Sequence, residues 1–453
     1  MLLTAQKISE ILAAPILAGS PDTPGGQVFT DTRHPLENGI FIALRGENFN
    51  GDTFAGKSLL SGASIAIVHA WLHGEIPAGK AVIEVPDTLF ALQRLAHWWR
   101  SQLDIPIICI TGSNGKTSTK DFTTAVLSQS FHVQSTKGNL NNHIGLPLTV
   151  LSTTPQHTAA VYEIGMNHGG ELAPLCEISR PKFGIITNIG TAHIEFLGSR
   201  EAIAEEKGTL ARYLPEDGLL FTPATCEFNE YFRARSKARL IPVGNGRGLV
   251  RAENLRPQPD GTAFTLTIDG EPPTPVFLPV PGKHMVTNAL LAAALGWKLC
   301  ISIEKIARGL ATTTLTSGRM RRLQSHDITL YDDTYNANPE SVEAAIETLA
   351  ETSIPAGAKR IIVLGKMGEL GPFAAAAHHR VGQLATAKGL TLIAVGPGAE
   401  GIALGGTAPH FPDCQAAAAW LGENTHPGDV VLFKGSRTAA IENVLHTAFP
   451  TAC

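Results

Sequence analysis

A glycine-rich loop between an apolar strand and a helix constrains this chain more than any other feature. The loop reads Thr111-Gly112-Ser113-Asn114-Gly115-Lys116-Thr117-Ser118, follows the apolar run IPIICI and precedes a helical pattern. Glycines let backbone N–H groups turn inward around a phosphate, and the helix start adds N–H donors and a positive dipole end. Lys116 offers a point charge to terminal phosphates, and the Thr117 hydroxyl can bind Mg²⁺. The loop from Gly112 to Ser118 therefore predicts a site for ATP and Mg²⁺.

This loop is narrower than the general phosphate-binding pattern. The pattern GxxxxGK[ST] requires a glycine at position 110, where this chain has Ile110. The structural alternative is a glycine turn with a chance GKT. The order of strand, loop and helix disfavours that alternative.

Short apolar runs alternate with helical patterns along the 453 residues, which predicts an α/β protein of two or three domains. We expect a small α/β domain at 1–84, a central domain with a P-loop ATPase-type parallel sheet at 85–315, and a Rossmann-like domain at 316–453. The strand candidates are 41–46, 64–70, 105–111, 159–165, 183–190, 360–365, 390–396 and 429–435. Residues 256–280 alternate in polarity and predict antiparallel strands.

Charge and hydropathy narrow the possible partners. The formal net charge of -4, without a long run of one sign, does not predict a nucleic-acid-binding surface. No run reaches the roughly 18 apolar residues of a membrane-spanning helix, and the N-terminal segment lacks the features of a signal peptide. We therefore expect a soluble, cytoplasmic monomer that binds neither membrane nor nucleic acid.

The compact loop TGSNGKTS resembles the Mur ligase family and its folylpolyglutamate synthase relatives. Further segments follow in family order: DTR (31–33), FIALRGENFNGDTF (41–54), NLNNHIGLPLT (139–149), EIGMNHGGE (163–171), TNIGTAHIEFLGSRE (187–201), SGRM (317–320), DDTYNANP (332–339) and KGSR (434–437). EIGMNH, AHIE and TYNANP together resemble the branch that adds D-alanyl-D-alanine. The chain departs from the family at LGKMGELG (364–371), where Lys366 replaces a usual acidic residue, so that position is given no role.

The resemblance implies an ATP- and Mg²⁺-dependent ligase of peptidoglycan precursor synthesis. Its substrates would be UDP-N-acetylmuramoyl-tripeptide and D-alanyl-D-alanine. A carboxylate does not react with an amine at neutral pH, because its oxygen is a poor leaving group. ATP would convert the carboxylate to an acyl phosphate, and cations would neutralise the phosphate charge in transfer.

Four residues are expected to carry this chemistry: Lys116, Glu163, His193 and Lys207. Glu163 ends the apolar strand AAVYEIG and can hold Mg²⁺ with Thr117; the alternative is a surface glutamate at a strand end. By resemblance, His193 binds a second metal ion; the alternative is a hydrogen-bonded structural histidine. By resemblance, Lys207 is carbamylated, which turns a cation into an anion that binds a hard metal; the alternative is a solvated helix lysine.

Further residues are candidates for the nucleotide. Asn288 and His284 can share one helix face, with capping and core packing as the alternative. Arg319 can reach the γ-phosphate when domains close. Asp333 can bond a ribose hydroxyl and Tyr335 can lie against the nucleotide, with an Asn- and Pro-rich turn as the alternative.

Candidates for the other substrates lie in the outer blocks. The candidates for the UDP-sugar are Thr32, Arg33, Leu44, Arg45 and Gly46. Asn141 and Asn142 can line the path to the phosphate loop, with an Asn-rich turn as an equal alternative. Lys434 and Arg437 are candidates for the carboxylate of the incoming dipeptide.

Other functions remain open at this stage. The nearest are a sister ligase that adds the third residue and a folylpolyglutamate synthase. GKT rather than GKG argues against the folate enzyme, and TYNANP argues against the third-residue enzyme. A P-loop NTPase switch or motor and a nucleotide-binding scaffold belong to different classes.

Overall fold

The computed structural model describes residues 3–244, 248–258 and 260–452. Strands and helices alternate along most of this part of the chain, and parallel pairing predominates in the large sheets, so the predicted α/β class is confirmed. The chain divides into two compact units. Unit 1 comprises Met1–Cys109, Phe131–Met166 and Gly170–Lys182, and unit 2 comprises Ile110–Ser130, Asn167–Gly169 and Phe183–Cys453. The domain borders predicted at 84/85 and 315/316 stay predictions.

The strands, in chain order, are β1 (Leu3–Thr4), β2 (Ile16–Ala18), β3 (Pro24–Gly25), β4 (Val28–Phe29), β5 (Ile40–Ile42), β6 (Arg45–Gly46), β7 (Phe49–Asn50), β8 (Ile65–Val68), β9 (Ala81–Glu84), β10 (Ile107–Thr111), β11 (Val133–Ser135), β12 (Ala159–Glu163), β13 (Phe183–Ile186), β14 (Leu219–Pro223), β15 (Arg239–Val243), β16 (Val250–Gln258), β17 (Gly261–Ile268), β18 (Thr274–Leu278), β19 (Arg321–Ser325), β20 (Ile328–Asp332), β21 (Arg360–Gly365), β22 (Thr391–Val395), β23 (His410–Phe411) and β24 (Val430–Lys434).

The helices are α1 (Ala5–Leu12), α2 (Ala55–Leu60), α3 (Thr88–Ser101), α4 (Lys116–Leu127), α5 (Gly145–Leu151), α6 (Leu172–Ser179), α7 (Ile194–Leu197), α8 (Arg200–Lys207), α9 (Thr209–Tyr213), α10 (Asn229–Arg233), α11 (Lys283–Lys298), α12 (Ile303–Ala311), α13 (Pro339–Glu351), α14 (Ala374–Ala387), α15 (Glu400–Gly406), α16 (Cys414–Asn424) and α17 (Glu442–Ala448). Short 3₁₀ helices span Gly51–Phe54, Gly371–Phe373 and Arg437–Ala439.

The main sheet of unit 1 has five strands in the order β2-β9-β8-β5-β4. All its neighbouring strands are parallel except β2, which runs antiparallel to β9. The central strand β8 reads IAIV and is buried along its whole length, as expected for a parallel strand covered on both faces. Its core side chains pack with those of β5 and α2, including Phe41, Leu59 and Val68. In the same unit, β11 pairs in parallel with β12, which ends at Glu163.

The strand predicted at 41–46 is two elements. β5 ends at Ile42, and β6 pairs with β7 as a separate hairpin. The chain leaves the sheet at Leu44, whose carbonyl accepts a hydrogen bond from the Gly51 N–H at 2.9 Å. Arg45 and Gly46 therefore lie in the hairpin and not at the end of a sheet strand.

Unit 2 contains three groups of strands. β13, β14 and β15 are parallel neighbours. β16, β17 and β18 form an antiparallel sheet, which agrees with the prediction for 256–280, although the first strand begins at Val250 and residue 259 lies outside the described residues. The third sheet has the order β19-β20-β24-β21-β22-β23, with only β19 antiparallel to its neighbour.

The third sheet of unit 2 is covered by helices and has its own core. Buried side chains of β21, β22 and β24 pack with those of α16 and α17, including Val363, Ile393, Phe433, Leu421 and Leu445. Runs such as RIIVLG and VVLFK are strongly apolar, as parallel strands between two helix layers require. Across the described residues, no helix has both the length and the apolar composition needed to cross a membrane.

Candidate active site

The glycine-rich loop of unit 2 links β10 to α4, as predicted. Gly112 has φ +150° and Gly115 has φ +76°, so both adopt backbone conformations that favour glycine. A Cβ atom at Gly112 would lie 1.9 Å from Oγ1 of Thr187. The Asn114 N–H donates to Oδ1 of Asn188 at 2.8 Å, which fixes the loop on the segment after β13. The glycine-rich loop therefore leads directly into α4. The first backbone N–H groups of this helix have no carbonyl acceptor within the helix, so they are available to bind a phosphate.

Lys116 is the first residue of α4 and folds back over the loop. Its Nζ donates to the Gly112 carbonyl at 2.8 Å and lies 3.4 Å from the Ser113 carbonyl. Thr117 is 5% exposed, and its Oγ1 accepts a hydrogen bond from Nη2 of Arg319 at 3.3 Å. The loop, its lysine and Arg319 are therefore brought together as a cationic cradle for phosphate oxygens.

Arg319 is held by its neighbours in the SGRM segment. Its guanidinium lies 3.9 Å from the centre of the Tyr335 ring, a cation–π contact. The Gly318 N–H donates to Oδ2 of Asp332 at 3.2 Å, and the Met320 N–H donates to Oδ1 of Asp333 at 3.1 Å. Two carboxylates therefore fix the backbone on both sides of Arg319.

Asp333 is also an ion-pair partner. Nζ of Lys434 lies 2.5 Å from Oδ2 of Asp333 and 2.9 Å from the Asn336 carbonyl, and Lys434 is only 3% exposed. Burial lowers the pKa of His284 to about 4, the charge of Asp333 opposes this shift, and Lys434 adds to it. His284 is therefore neutral near pH 7 beside a buried ion pair. The Lys434 ammonium must leave Asp333 or share it if it is to bind a substrate carboxylate.

Asn288 faces the phosphate loop. It lies on α11 and is 6% exposed. A Cβ atom at Gly115 would lie 2.7 Å from its Nδ2, so the amide packs directly on the loop glycine. The side-chain amide of Asn288 therefore lies against the glycine-rich loop, on the face of α11 that was predicted to contact the nucleotide.

His193 and Lys207 lie in a cationic part of the same unit. Burial lowers the pKa of Lys207 well below its usual value, Lys116 lowers it further, and Glu206 opposes the shift. Burial also lowers the pKa of His193, where the Glu369 contact opposes the shift and the ammonium groups of Lys116 and Lys207 add to it. Lys207 is 1% exposed, so the alternative of a solvated helix lysine does not describe it.

Glu163 and Asn141 meet within unit 1. Oε1 of Glu163 accepts a hydrogen bond from Nδ2 of Asn141 at 2.8 Å. Glu163 is 2% exposed, and within the described part of the chain its Oε2 is buried without a hydrogen-bond partner. A buried carboxylate oxygen in that state is suited to a cation. Asn142 instead accepts from the N–H groups of Ile144 and Gly145 at 3.1 and 2.9 Å, which is the turn role proposed as its alternative.

The remaining charged substrate candidates each form an ion pair within their own unit. Arg33 is exposed and forms a 2.7 Å ion pair with Asp31, next to Thr32. Arg45 forms a 2.7 Å ion pair with the buried Asp52. Both pairs belong to unit 1. In unit 2, the exposed Arg437 pairs with Glu442 at 2.7 Å.

The predicted metal ligands form no ready-made cage. Among residues 3–244, 248–258 and 260–452, no three His, Cys, Asp or Glu side chains converge as a metal site. Mg²⁺ usually binds through one or two carboxylates together with nucleotide phosphates and water, so a cage is not required. Within unit 1, the unpartnered Oε2 of Glu163 is suited to such a cation. Within unit 2, burial lowers the pKa of Lys207, which favours the uncharged amine that carbamylation requires.

The sequence did not predict several residues that contact the phosphate loop or the segment around His193. Glu369 contacts His193, and Glu340 accepts hydrogen bonds from Thr191. Nδ2 of Asn338 donates to Oδ1 of Asn114 in the loop at 2.7 Å. Asn-Pro-Glu-Ser is a helix N-cap pattern, which was a usable signal for Asn338. The two glutamates carried no local signal.

Fold and site together define an α/β protein with a P-loop-type site for a nucleotide phosphate. Residues 110–296 match the profile of the Mur ligase middle domain, and residues 318–437 match that of the Mur ligase glutamate ligase domain. The chain belongs to the Mur ligase family. It is therefore an ATP-dependent ligase that forms amide bonds, and the predicted family and enzyme class are confirmed.

Individual relatives match along nearly the whole chain. The UDP-N-acetylmuramoyl-tripeptide–D-alanyl-D-alanine ligase of Escherichia coli is 36% identical over 430 residues, which are 92% of each chain. A crystal structure of MurF from Acinetobacter baumannii has a TM-score of 0.90 at 31% identity and covers 99% of both chains. MurF from Thermotoga maritima in complex with ADP has a TM-score of 0.82 at 25% identity, over 93% of this chain and 96% of that one.

Proposed function

We propose that this enzyme joins D-alanyl-D-alanine to UDP-N-acetylmuramoyl-tripeptide with the hydrolysis of ATP to ADP and phosphate. The observation that carries the proposal is the near-full-length similarity to the Escherichia coli ligase of that name. The cationic phosphate loop and the buried groups of the site support it. UDP-linked substrates and ATP are cytoplasmic metabolites, so we place the reaction in the cytoplasm. The monomeric state expected from the sequence stays a prediction.

The reaction has two steps. The terminal carboxylate of the tripeptide attacks the γ-phosphorus of ATP, a new C(O)O–P bond forms, and the bond to ADP breaks. The amine of D-alanyl-D-alanine then attacks the acyl carbon, the C–N bond forms, inorganic phosphate leaves, and the amine loses a proton. Both steps move negative charge between oxygens, so fixed cations supply most of the stabilisation.

The chain's own residues divide this task. Lys116 and the loop N–H groups bind the β- and γ-phosphates, and Arg319 binds the γ-phosphate from the side of Thr117. Asn288, Asp333 and Tyr335 orient the nucleoside.

Thr117, Glu163, His193 and Lys207 are the proposed ligands for Mg²⁺. When bound, the metal would neutralise the phosphate charge. Burial lowers the pKa of Lys207 and so favours its uncharged amine; in that form the amine attacks carbon dioxide, an N–C bond forms and a proton is released, which gives an anionic carbamate.

For the substrates, we propose the residues that the sequence predicts. Thr32, Arg33, Leu44, Arg45 and Gly46 are proposed for the UDP-sugar, Asn141 and Asn142 for the path to the loop, and Lys434 and Arg437 for the dipeptide carboxylate. Arg33, Arg45, Lys434 and Arg437 already have carboxylate partners, so binding would exchange one ion pair for another.

The test is a product assay by mass spectrometry. The protein is incubated with ATP, Mg²⁺, D-alanyl-D-alanine and UDP-N-acetylmuramoyl-tripeptide carrying either meso-diaminopimelate or lysine as its third residue. We expect the mass of the pentapeptide product from at least one tripeptide and none from the Lys116→Ala variant. A parallel arm supplies UDP-N-acetylmuramoyl-dipeptide with each free diamino acid. Product in that arm alone would instead support the sister ligase that adds the third residue.

A further inference from the structure

We propose that Glu369, in the glutamate ligase domain, is a positioning residue that fixes the ring orientation of His193 in the middle domain. Glu369 belongs to the segment that matches the glutamate ligase domain, and His193 belongs to the middle-domain segment. Both lie in unit 2. The inference rests on the proposed metal role of His193.

His193 and Glu369 form a close ion-pair contact. Nδ1 of His193 lies 2.6 Å from Oε2 of Glu369, and within the described residues this nitrogen has no aligned hydrogen bond, so the directed N–H···O bond is part of the proposal. The imidazole side chain is 13% exposed and the carboxylate is 41% exposed, so the contact lies at the rim of the site. A metal-binding histidine usually gives its second ring N–H to a carboxylate or carbonyl, which fixes both the tautomer and the ring plane. A proton held on Nδ1 leaves Nε2 as the nitrogen that can bind a cation.

The backbone on both sides of the contact is held in an unusual conformation. His193 has φ +67° and Glu369 has φ +59°, a region that side chains other than glycine, Asn and Asp rarely adopt. Such residues persist where surrounding contacts hold them, and they are concentrated at functional sites. One such contact is a hydrogen bond from the Glu195 N–H to the Glu369 carbonyl at 3.3 Å. The backbone conformations of His193 and Glu369 therefore direct their side chains towards each other.

A second carboxylate of the glutamate ligase domain holds the same middle-domain segment without contacting the histidine. Oε1 of Glu340 accepts from the Thr191 N–H at 2.9 Å, and Oε2 accepts from Thr191 Oγ1 at 3.0 Å. Glu340 and Glu369 thus form two bonds between the same two domains, and only Glu369 reaches the imidazole. Glu340→Gln is therefore a matched control that weakens the domain contact and leaves the Glu369–His193 pair in place.

The experiment measures Mn²⁺ binding by electron paramagnetic resonance, because Mn²⁺ replaces Mg²⁺ readily and binds imidazole better. The full-length protein is titrated with Mn²⁺ in the presence of a non-hydrolysable β,γ-methylene analogue of ATP. We expect Glu369→Gln to weaken the second Mn²⁺ site by about 10- to 100-fold, the range typical of lost outer-sphere partners. We expect Glu340→Gln to change it by less than about threefold.

A spectroscopic readout separates ring orientation from general damage. ¹⁵N spectra of histidine-labelled protein report the tautomer of His193, which we expect to be Nδ1–H in the parent protein and mixed in Glu369→Gln. Glu369→Asp keeps the charge but shortens its reach, and it should give an intermediate Mn²⁺ affinity. Circular dichroism of each variant checks that the fold is retained.

The outcomes distinguish this inference from the proposed function. If His193→Ala retains both Mn²⁺ sites, the proposed metal role of His193 is wrong and the inference fails with it. If His193→Ala loses the second site while Glu369→Gln keeps it within twofold, only the positioning role is wrong. Equal losses in Glu369→Gln and Glu340→Gln would assign the effect to domain contact and overturn the positioning role.

Discussion

Lys207 is a buried lysine next to other cations. It ends α8, is 1% exposed, and feels the charge of Lys116. Burial therefore favours its neutral amine, and a neutral amine is the form that reacts with carbon dioxide. An ammonium at this place would repel a metal ion, whereas a carbamate would attract it.

Removal of this side chain should be partly reversible by small acids. We expect Lys207→Ala to lose most ligase activity, and formate or acetate to restore part of it by filling the space of the carbamate. Lys116→Ala, which loses a phosphate contact instead, should not respond to either acid. Initial rates of phosphate release measured with and without added acid check this. Full activity in Lys207→Ala would contradict the carbamate role.

The same burial should make stability depend on pH. A lysine whose pKa is lowered in the folded state binds fewer protons than in the unfolded state, so its contribution to stability rises with pH until the unfolded pKa near 10.5. In buffer free of carbon dioxide, we expect Lys207→Met to unfold at a higher temperature than the parent protein at pH 7. The difference should shrink towards pH 10, by at most about 1.4 kcal/mol per pH unit.

Thermal unfolding scans between pH 7 and pH 10 measure this difference. Lys388→Met is the control, because Lys388 is exposed. Its unfolding temperature should follow that of the parent protein at every pH. A Lys207→Met difference that stays constant with pH would show that the amine is not neutralised by burial.

At the scale of elements, α13 connects helix capping to nucleotide binding. Oδ1 of Asn338 accepts from the Ser341 N–H at 3.0 Å, and the Ser341 hydroxyl completes a capping box. The other end of the same amide donates to Asn114 in the phosphate loop at 2.7 Å. One side chain therefore starts a helix of the glutamate ligase domain and contacts the loop of the middle domain.

Asn338→Ala should have two effects. Loss of the cap should lower the free energy of unfolding by about 1–2 kcal/mol, and loss of the loop contact should raise KM for ATP. Asp413→Ala is the matched control, because Asp413 caps α16 through the Ala416 N–H at 2.9 Å and lies outside the loop contacts described above. We expect Asp413→Ala to lower the free energy of unfolding by a similar amount and to leave KM for ATP unchanged. A similar KM in both variants would contradict the loop role of Asn338.

Elements with regular periodicity were predictable, and contacts between distant loops were not. The run RIIVLG predicted 360–365, and β21 spans the same residues, because a short apolar run of that length suits a buried parallel strand. The phosphate loop was predictable because strand, glycines and helix are contiguous. The Glu369–His193 contact was not, because it depends on two left-handed backbones far apart in the chain that no local pattern encodes.

At the scale of the whole molecule, contacts between the middle and glutamate ligase segments cluster around the phosphate loop. Arg319 reaches Thr117, and Oδ2 of Asp121 on α4 accepts from the Thr316 N–H at 2.8 Å in the segment that links the two domains. Arg319 thus brings a cation of the glutamate ligase segment to the phosphate loop, and the Asp121 bond holds the linking segment on α4. Closure of such a site over bound phosphates would exclude water from a reactive intermediate.

We therefore expect little ATP hydrolysis without the amine substrate. With ATP, Mg²⁺ and UDP-N-acetylmuramoyl-tripeptide but no D-alanyl-D-alanine, steady-state phosphate release should be at most about one tenth of the rate in the complete reaction, because the acyl phosphate is protected from water. A continuous phosphate assay measures both rates. Fast release without the dipeptide would contradict the protected intermediate.

The glycine at position 112 also limits how this enzyme can evolve under selection by an inhibitor. A side chain there would begin with a Cβ atom 1.9 Å from Oγ1 of Thr187, and the backbone at φ +150° would oppose it independently. Resistance to a compound that occupies the phosphate loop through a change at Gly112 would require a second substitution that removes the clash with Thr187. Even then, the side chain at position 112 would have to adopt an unfavourable backbone conformation. Resistance should therefore arise at the borders of the nucleotide site, where side chains can change one at a time.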